Sequence, residues 1–290
     1  MTLRAKKPEV NLPRLKVLLF ASEGVGKTHF CCSFPDTYYI DTEGLEDYPH
    51  FIDMLRANAG DMVYLNDLEE IIKEVKALLS TKHDYKTLVI DSLSFPYAWL
   101  AQMEAERLAK KGSEGTEFGA NLAKAKRLTF QLGILLSRLD MNVIVVAHER
   151  VKYEKSVEVG TTYDITDKMA YSLGTVWNLK LLGSNRKLFV KKSRYKQLQA
   201  NESLDFNEGY DTIKNIFGEE IFKRESVVRE LATNDQIMEI KRLIEVLHLP
   251  EDRVNKILTN AKAVTFEEIE KSYMEKLLKS MQKTIQGEAA

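Results

Sequence analysis

The sequence predicts an α/β protein, a mainly parallel sheet flanked by helices, followed by a small C-terminal helical domain. Three observations carry that expectation. The first half alternates short, continuously apolar runs with stretches whose apolar residues recur at helical spacing, the pattern of a parallel sheet covered on both faces. The chain has 290 residues, 44% hydrophobic and 29% charged, which suits one large domain with a small companion. Beyond residue 231 only helix-capping signals and short amphipathic runs remain.

The elements follow in order. Leu15–Phe20 is an apolar run bounded by a turn and reads as a buried strand, with a helix opening near Gly26. Tyr38–Asp41 and Asp61–Leu65 are short strands. Asn66 caps a helix that carries Leu68, Ile71, Ile72, Val75, Leu78 and Leu79 on one face. Thr87–Asp91 is a strand, followed by a helix around Ala98–Lys111. A loop with Gly112, Gly115 and Gly119 comes next. A long helix then repeats Phe118, Leu122, Ala125, Leu128, Leu132, Leu135 and Leu139. Asn142–Ala147 is the most apolar strand. After Glu149 a polar, basic stretch leads to two strands, Thr175–Leu182 and Lys187–Lys192, joined by a hairpin turn at Gly183, Ser184 and Asn185. Thr233 with Gln236 and Thr265 with Glu268 have capping-box spacing, and Pro250 opens a helix between the two. The expected organisation is an N-terminal extension 1–12, a core 13–200, an acidic linker 201–231 and a three-helix domain 232–290.

Charge and cysteines narrow the class. The net charge is −1, yet residues 149–200 hold 11 basic and five acidic groups, a net of +6. Such a stretch is either an anion-binding surface or a solvated lysine-rich face. The two cysteines, Cys31 and Cys32, are adjacent and cannot build a disulfide framework, so a reducing cytoplasm is expected. No apolar run nears the ~18 residues of a membrane span, and Met1–Leu12 has no secretory apolar stretch.

The chemistry concentrates in Ala21-Ser22-Glu23-Gly24-Val25-Gly26-Lys27-Thr28, with His29 following on the helix. Phosphate binding needs this strand–loop–helix order: small residues let backbone amides wrap the phosphates at a helix N-terminus. Lys27 would reach the β- and γ-phosphates, and the Thr28 hydroxyl would ligate Mg²⁺. Ala21 stands where such loops usually begin with glycine. Asp91, ending an apolar strand, is placed to hold the Mg²⁺ shell together with Thr28. No NKxD-type guanine-reading motif is present, so ATP is the expected nucleotide, with Tyr48 or His50 available to stack on its base. Histidines and cysteines show no zinc spacing.

Tyr39-Ile-Asp-Thr-Glu-Gly44 after the phosphate loop resembles the RecA superfamily of P-loop ATPases, most closely the short, phage-borne RecA-like ATPases of single-strand annealing. The resemblance spans roughly residues 12–200. It implies a RecA-like core in which Glu43 activates the attacking water. It also implies that His148, where the family usually has glutamine, senses the γ-phosphate, and that Lys191, Lys192 and Arg194 present cations to a neighbouring subunit's nucleotide or to DNA. Lys111–Phe118 and Val151–Thr166 match the family's two DNA-binding loops. The activity so implied is an ATP-hydrolysing, single-stranded-DNA-binding recombination protein that promotes annealing or strand exchange. It would act as a homo-oligomer with nucleotide at the subunit interface, in the host cytoplasm if phage-encoded. The C-terminal helices are a candidate docking site for a single-strand-binding protein. Two rival readings stay open: a helicase or helicase loader on the same core, distinguished by strand displacement, and a DNA-coating protein with slow hydrolysis, distinguished by binding that ignores ATP.

Overall fold

The computed structural model describes residues 13–111 and 117–288. Its strands are β1 (Lys16–Ala21), β2 (Thr37–Asp41), β3 (Asp61–Tyr64), β4 (Thr87–Asp91), β5 (Asn142–Glu154), β6 (Val157–Tyr163), β7 (Thr175–Leu182), β8 (Asn185–Ser193) and β9 (Ser203–Asp205). The helices of the core are α1 (Lys27–Cys32), α2 (Pro49–Ala57), α3 (Leu68–Ser80), α4 (Ser94–Ala109), α5 (Ala123–Arg138), α6 (Asp167–Ser172), α7 (Tyr210–Phe217) and α8 (Glu220–Lys223). Those of the C-terminal region are α9 (Asn234–Val246), α10 (Glu251–Asn260) and α11 (Lys271–Glu288).

The sheet runs β3-β2-β4-β5-β1-β7-β8-β9. From β3 to β7 every neighbour is parallel, while β8 and β9 close the edge antiparallel. The alternation of side chains along a strand sorts the core into two layers. In β1, Leu18 and Phe20 face a cluster with α3, α4, α5 and α6. Leu15, Val17, Leu19 and Ala21 face the other cluster, with α1, α2, α7 and α8. Cys31 and Cys32 are free thiols buried in this second layer.

Register places the chemistry. Ala21 pairs with His148 across β1 and β5, and Asp41 pairs with Asp91 across β2 and β4. β2 and β4 thus end level with each other, and β1 ends two residues farther along, beside His148 of the continuing β5. The crevice outside the carboxyl ends of parallel strands is where an open α/β sheet binds its ligand.

Several expectations need correction. Asp67, rather than Asn66, caps α3, accepting the amides of Glu69 and Glu70. The long helix near Phe118 begins as a 3-10 turn, Glu117–Leu122, before α5. Thr265 and Glu268 cap a 3-10 turn, Phe266–Glu268, and α11 starts only at Lys271. The stretch Val151–Thr166, read as a polar loop, is mostly a two-stranded antiparallel arm, because β5 continues to Glu154 and returns as β6. The stretch 201–231, read as an acidic linker, supplies β9, α7 and α8. Its Phe206, Ile213 and Phe222 are buried in the second core layer. Arg14 clamps its end, donating to the carbonyls of Ile221, Arg224 and Glu225 while pairing with Asp140 at 3.0 Å. Residues 1–12 and 112–116, which include most of the first expected DNA-binding loop, lie outside the described residues.

The C-terminal helices have a small core of their own, centred on Ile240, Leu243, Ile269, Met274 and Met281. They meet the sheet-bearing part through Glu268, fully buried, which pairs with Lys76 at 3.1 Å and accepts from Gln131. Arg229 pairs with Glu270 beside it.

Candidate nucleotide site

The loop between β1 and α1 wraps tightly because Gly24 (φ 71°) and Gly26 (φ 106°) adopt left-handed backbone that other residues rarely reach. A side chain at Gly26 would also meet Arg186, whose Nε lies 2.9 Å from the Cβ position. Arg186 donates to the Val25 carbonyl at 2.8 Å and so holds the loop from the β8 side. Lys27 is buried, its ammonium 3.0 Å from the carbonyls of both Ala21 and Ser22, the curled geometry of a lysine folded over its own loop.

Asp91 lies beneath. One carboxylate oxygen accepts from the Thr28 hydroxyl at 2.8 Å and from the Tyr39 hydroxyl at 2.6 Å. Burial pushes the Asp91 carboxyl above its ordinary value, and the bonds from Tyr39 and Thr28 act against that. A cavity of about 430 Å³ opens over the loop, lined among others by Gly24, Lys27, Thr28, Glu43, Tyr48 and Asp91. Tyr48 is half-exposed at its wall.

Glu43 is projected by a turn that Asp41 organises. Asp41 accepts the amides of Glu43, Gly44 and Leu45, and Gly44 takes φ 90° to complete the turn. The Glu43 carboxylate accepts from Ser92 and lies 2.9 Å from His148 Nε2. The His148 contact holds the Glu43 carboxyl below its ordinary value, against burial and with help from Ser92. The same contact raises the His148 imidazole, again against burial. Glu43, Ser92 and His148 thus form one hydrogen-bonded group at the mouth of the loop.

The structure therefore brings Lys27, Thr28, Asp91, Glu43 and His148 together. It does not bring Lys192 or Arg194 to this cleft, because β8 runs away from the loop. Lys192 donates to the carbonyls of Ala170 and Leu173, burial lowers its ammonium, and Arg194 donates to the Tyr171 carbonyl at 3.1 Å. Within this chain the Lys192 ammonium closes the C-terminal end of α6. Arg186 is the cation that touches the phosphate loop, and no motif in the sequence marks it. Glu149 was also missed. It accepts from Ser22 at 2.5 Å, from Asn178 at 3.1 Å and from Thr161 of β6, tying the phosphate loop to the arm. Only its position beside His148 hinted at this.

The donor set tests the fit of a magnesium nucleotide. Mg²⁺ favours few protein oxygens plus water and phosphate, and Thr28 and Asp91 offer one hydroxyl and one carboxylate side by side. Among the described residues no group of three or more His, Cys, Asp or Glu could hold a metal ion. No helix among them is long and apolar enough to cross a membrane.

A family model described as AAA domain matches residues 14–176, more than half of the chain. No curated protein matches. Similar solved structures include one titled crystal structure of the RadB recombinase, 16% identical, covering 67% of this chain and 87% of that one at a TM-score of 0.41. The matched segment begins at Arg14, just ahead of β1, and ends within β7, enclosing the phosphate loop, Glu43, Asp91 and His148: the chain belongs to the AAA domain family of NTPases.

Proposed function

We propose that this protein is an ATPase of DNA recombination that binds single-stranded DNA and couples hydrolysis to annealing or strand exchange. The observation that carries the reading is the Glu43–Ser92–His148 group above the phosphate loop, rooted in the strand that continues into an exposed two-stranded arm. Lys27 and the loop amides would hold the phosphates, and Thr28 and Asp91 would hold Mg²⁺, which would neutralise phosphate charge. Glu43 orients a water or takes its proton. His148 faces both the γ-phosphate end and Glu43, so a change there is felt at the base of the arm, where Glu149 holds Thr161. This is a switch of the order–disorder or loop-shift kind driven by a terminal phosphate.

The protein would assemble with itself, the nucleotide at a subunit boundary, with Lys191 and Arg194 offered to the neighbour or to DNA. The C-terminal helices would receive a single-strand-binding protein. The expected cellular setting is the cytoplasm. The intact set of Lys27, Glu43 and Asp91 favours this reading over a coating protein.

Two substitutions test the nucleotide roles. Lys27→Ala should abolish nucleotide binding, since it removes the phosphate charge contact. Glu43→Gln should retain binding and lose hydrolysis by roughly 10²-fold or more. Normal hydrolysis by Glu43→Gln would remove the assignment. Binding to single-stranded DNA should weaken steeply with salt, because phosphate contacts from the 149–200 stretch, net +6, would release counterions.

A further inference from the structure

His148 and Glu149 are consecutive on β5, at the level where β1 ends, and they attach to different parts of the molecule. The His148 amide donates to Ser94, the first residue of α4, at 2.8 Å, and Ser94 donates to Asp164, just beyond β6. The His148 side chain turns towards Glu43, on the β2 and β4 side. Glu149 turns the other way, as successive strand residues do. It meets Ser22 of the phosphate loop at 2.5 Å, Asn178 of β7 at 3.1 Å and Thr161 on the returning strand of the arm.

The Glu149 side chain is only 9% exposed, with Lys180 3.9 Å away. A carboxylate taken that far from water is costly unless donors satisfy it. Burial pushes the Glu149 carboxyl up, but the bonds from Ser22, Thr161 and Asn178, with Lys180, outweigh it and hold the group below its ordinary value. An ionised carboxylate only accepts, so the loop, the arm and β7 all donate to one group. A shift in any of them changes what the carboxylate offers the others.

Ser22 has a second anchor. Its carbonyl, with that of Ala21, accepts from the Lys27 ammonium. If Lys27 reaches a phosphate, that contact is exchanged, and Ser22 keeps its place through Glu149. The load on the Glu149 bond therefore depends on the nucleotide.

We propose that Glu149 is a positioning residue that couples the arm to the phosphate loop. A strand held by the arm fixes Thr161, Thr161 fixes the carboxylate, and the carboxylate fixes Ser22 in the loop that holds the phosphates. The proposal rests on the single-strand-binding reading above. It adds a route, separate from the His148–Glu43 contact, by which strand and nucleotide raise each other's affinity.

The quantity to measure is a ratio: Kd of a non-hydrolysable ATP analogue without oligothymidine, divided by its Kd at saturating oligothymidine. Linkage requires the same ratio for oligothymidine measured without and with the analogue, and the parent should give about fivefold or more. A general loss of affinity moves both constants together and leaves the ratio alone, so the ratio separates positioning from a merely structural role. Thr161→Val keeps the side chain's shape and removes the arm's donor, while Ser22→Ala removes the loop's donor. Each should bring the ratio to about one, and the double variant should do no more, because both break a single path. Glu149→Ala should lose the ratio as well. Glu149→Gln, with an oxygen for Thr161 and an amide for Ser22, should retain most of it. If Thr161→Val keeps the parent's ratio, Glu149 is a structural carboxylate, the proposal is wrong and the DNA reading stands. A parent that binds oligothymidine with a ratio of one would also overturn the proposal alone. Failure of the parent protein to bind oligothymidine would overturn both readings.

Discussion

At the scale of single residues, the Glu43–His148 contact decides how hydrolysis depends on pH. Pairing raises the imidazole above its ordinary value and lowers the carboxyl. A histidine whose folded value is raised contributes its stabilisation fully below the unfolded value and loses it as pH rises through the raised one. Imidazolium therefore holds Glu43 in the acid range, and a glutamate held by a cation is a weak base. Hydrolysis should climb as pH passes through the raised His148 value, and His148→Gln should flatten that limb. The pH–rate profile at saturating ATP checks this, and an identical climb in the variant would contradict it. Lys27, Thr28 and Asp91 were legible because phosphate binding demands a fixed order of residue types, and Glu43 only through the family resemblance of Tyr39–Gly44. Arg186 and Glu149 were not, since a long-range contact with one backbone carbonyl or one hydroxyl leaves no local pattern.

At the scale of elements, the continuous apolar runs marked β1, β4 and β5, because a strand buried on both faces admits few polar residues. The arm escaped notice for the opposite reason. Val151, Tyr153, Val157 and Val159 recur among charged residues, yet all remain exposed, and an arm with no buried face has no burial pattern to announce it. The segment 201–231 was misread because eight acidic residues outweigh its scattered apolar anchors, Phe206, Ile213 and Phe222. That segment depends on Arg14, which is 6% exposed and bonded to three of its carbonyls and to Asp140. Arg14→Ala should cost about 3 kcal/mol, the loss expected when one partner of a buried pair is removed. The midpoint of urea unfolding reads it; a shift within error would mean that α8 is held by Phe222 alone.

At the scale of the whole molecule, the sheet carries the nucleotide site on one end while the C-terminal helices are tied on elsewhere, chiefly through Glu268 and Glu270. Deleting residues 231–290 removes the buried Glu268 and so leaves no uncompensated buried carboxylate; Lys76 and Gln131 return to water. The shortened chain should still bind ATP with Tm lowered by several degrees, about the effect of losing one or two kcal/mol in a domain this size. Loss of ATP binding would make the C-terminal helices part of the core. The central claim is that the nucleotide site and a single-strand surface are coupled through β5, α4 and the arm. Its most direct test is the steady-state rate of ATP hydrolysis with and without single-stranded oligonucleotide. The coupling predicts a clear rise on adding the strand, and that rise should disappear in Glu43→Gln. A rate indifferent to single-stranded DNA at saturating concentration would contradict it.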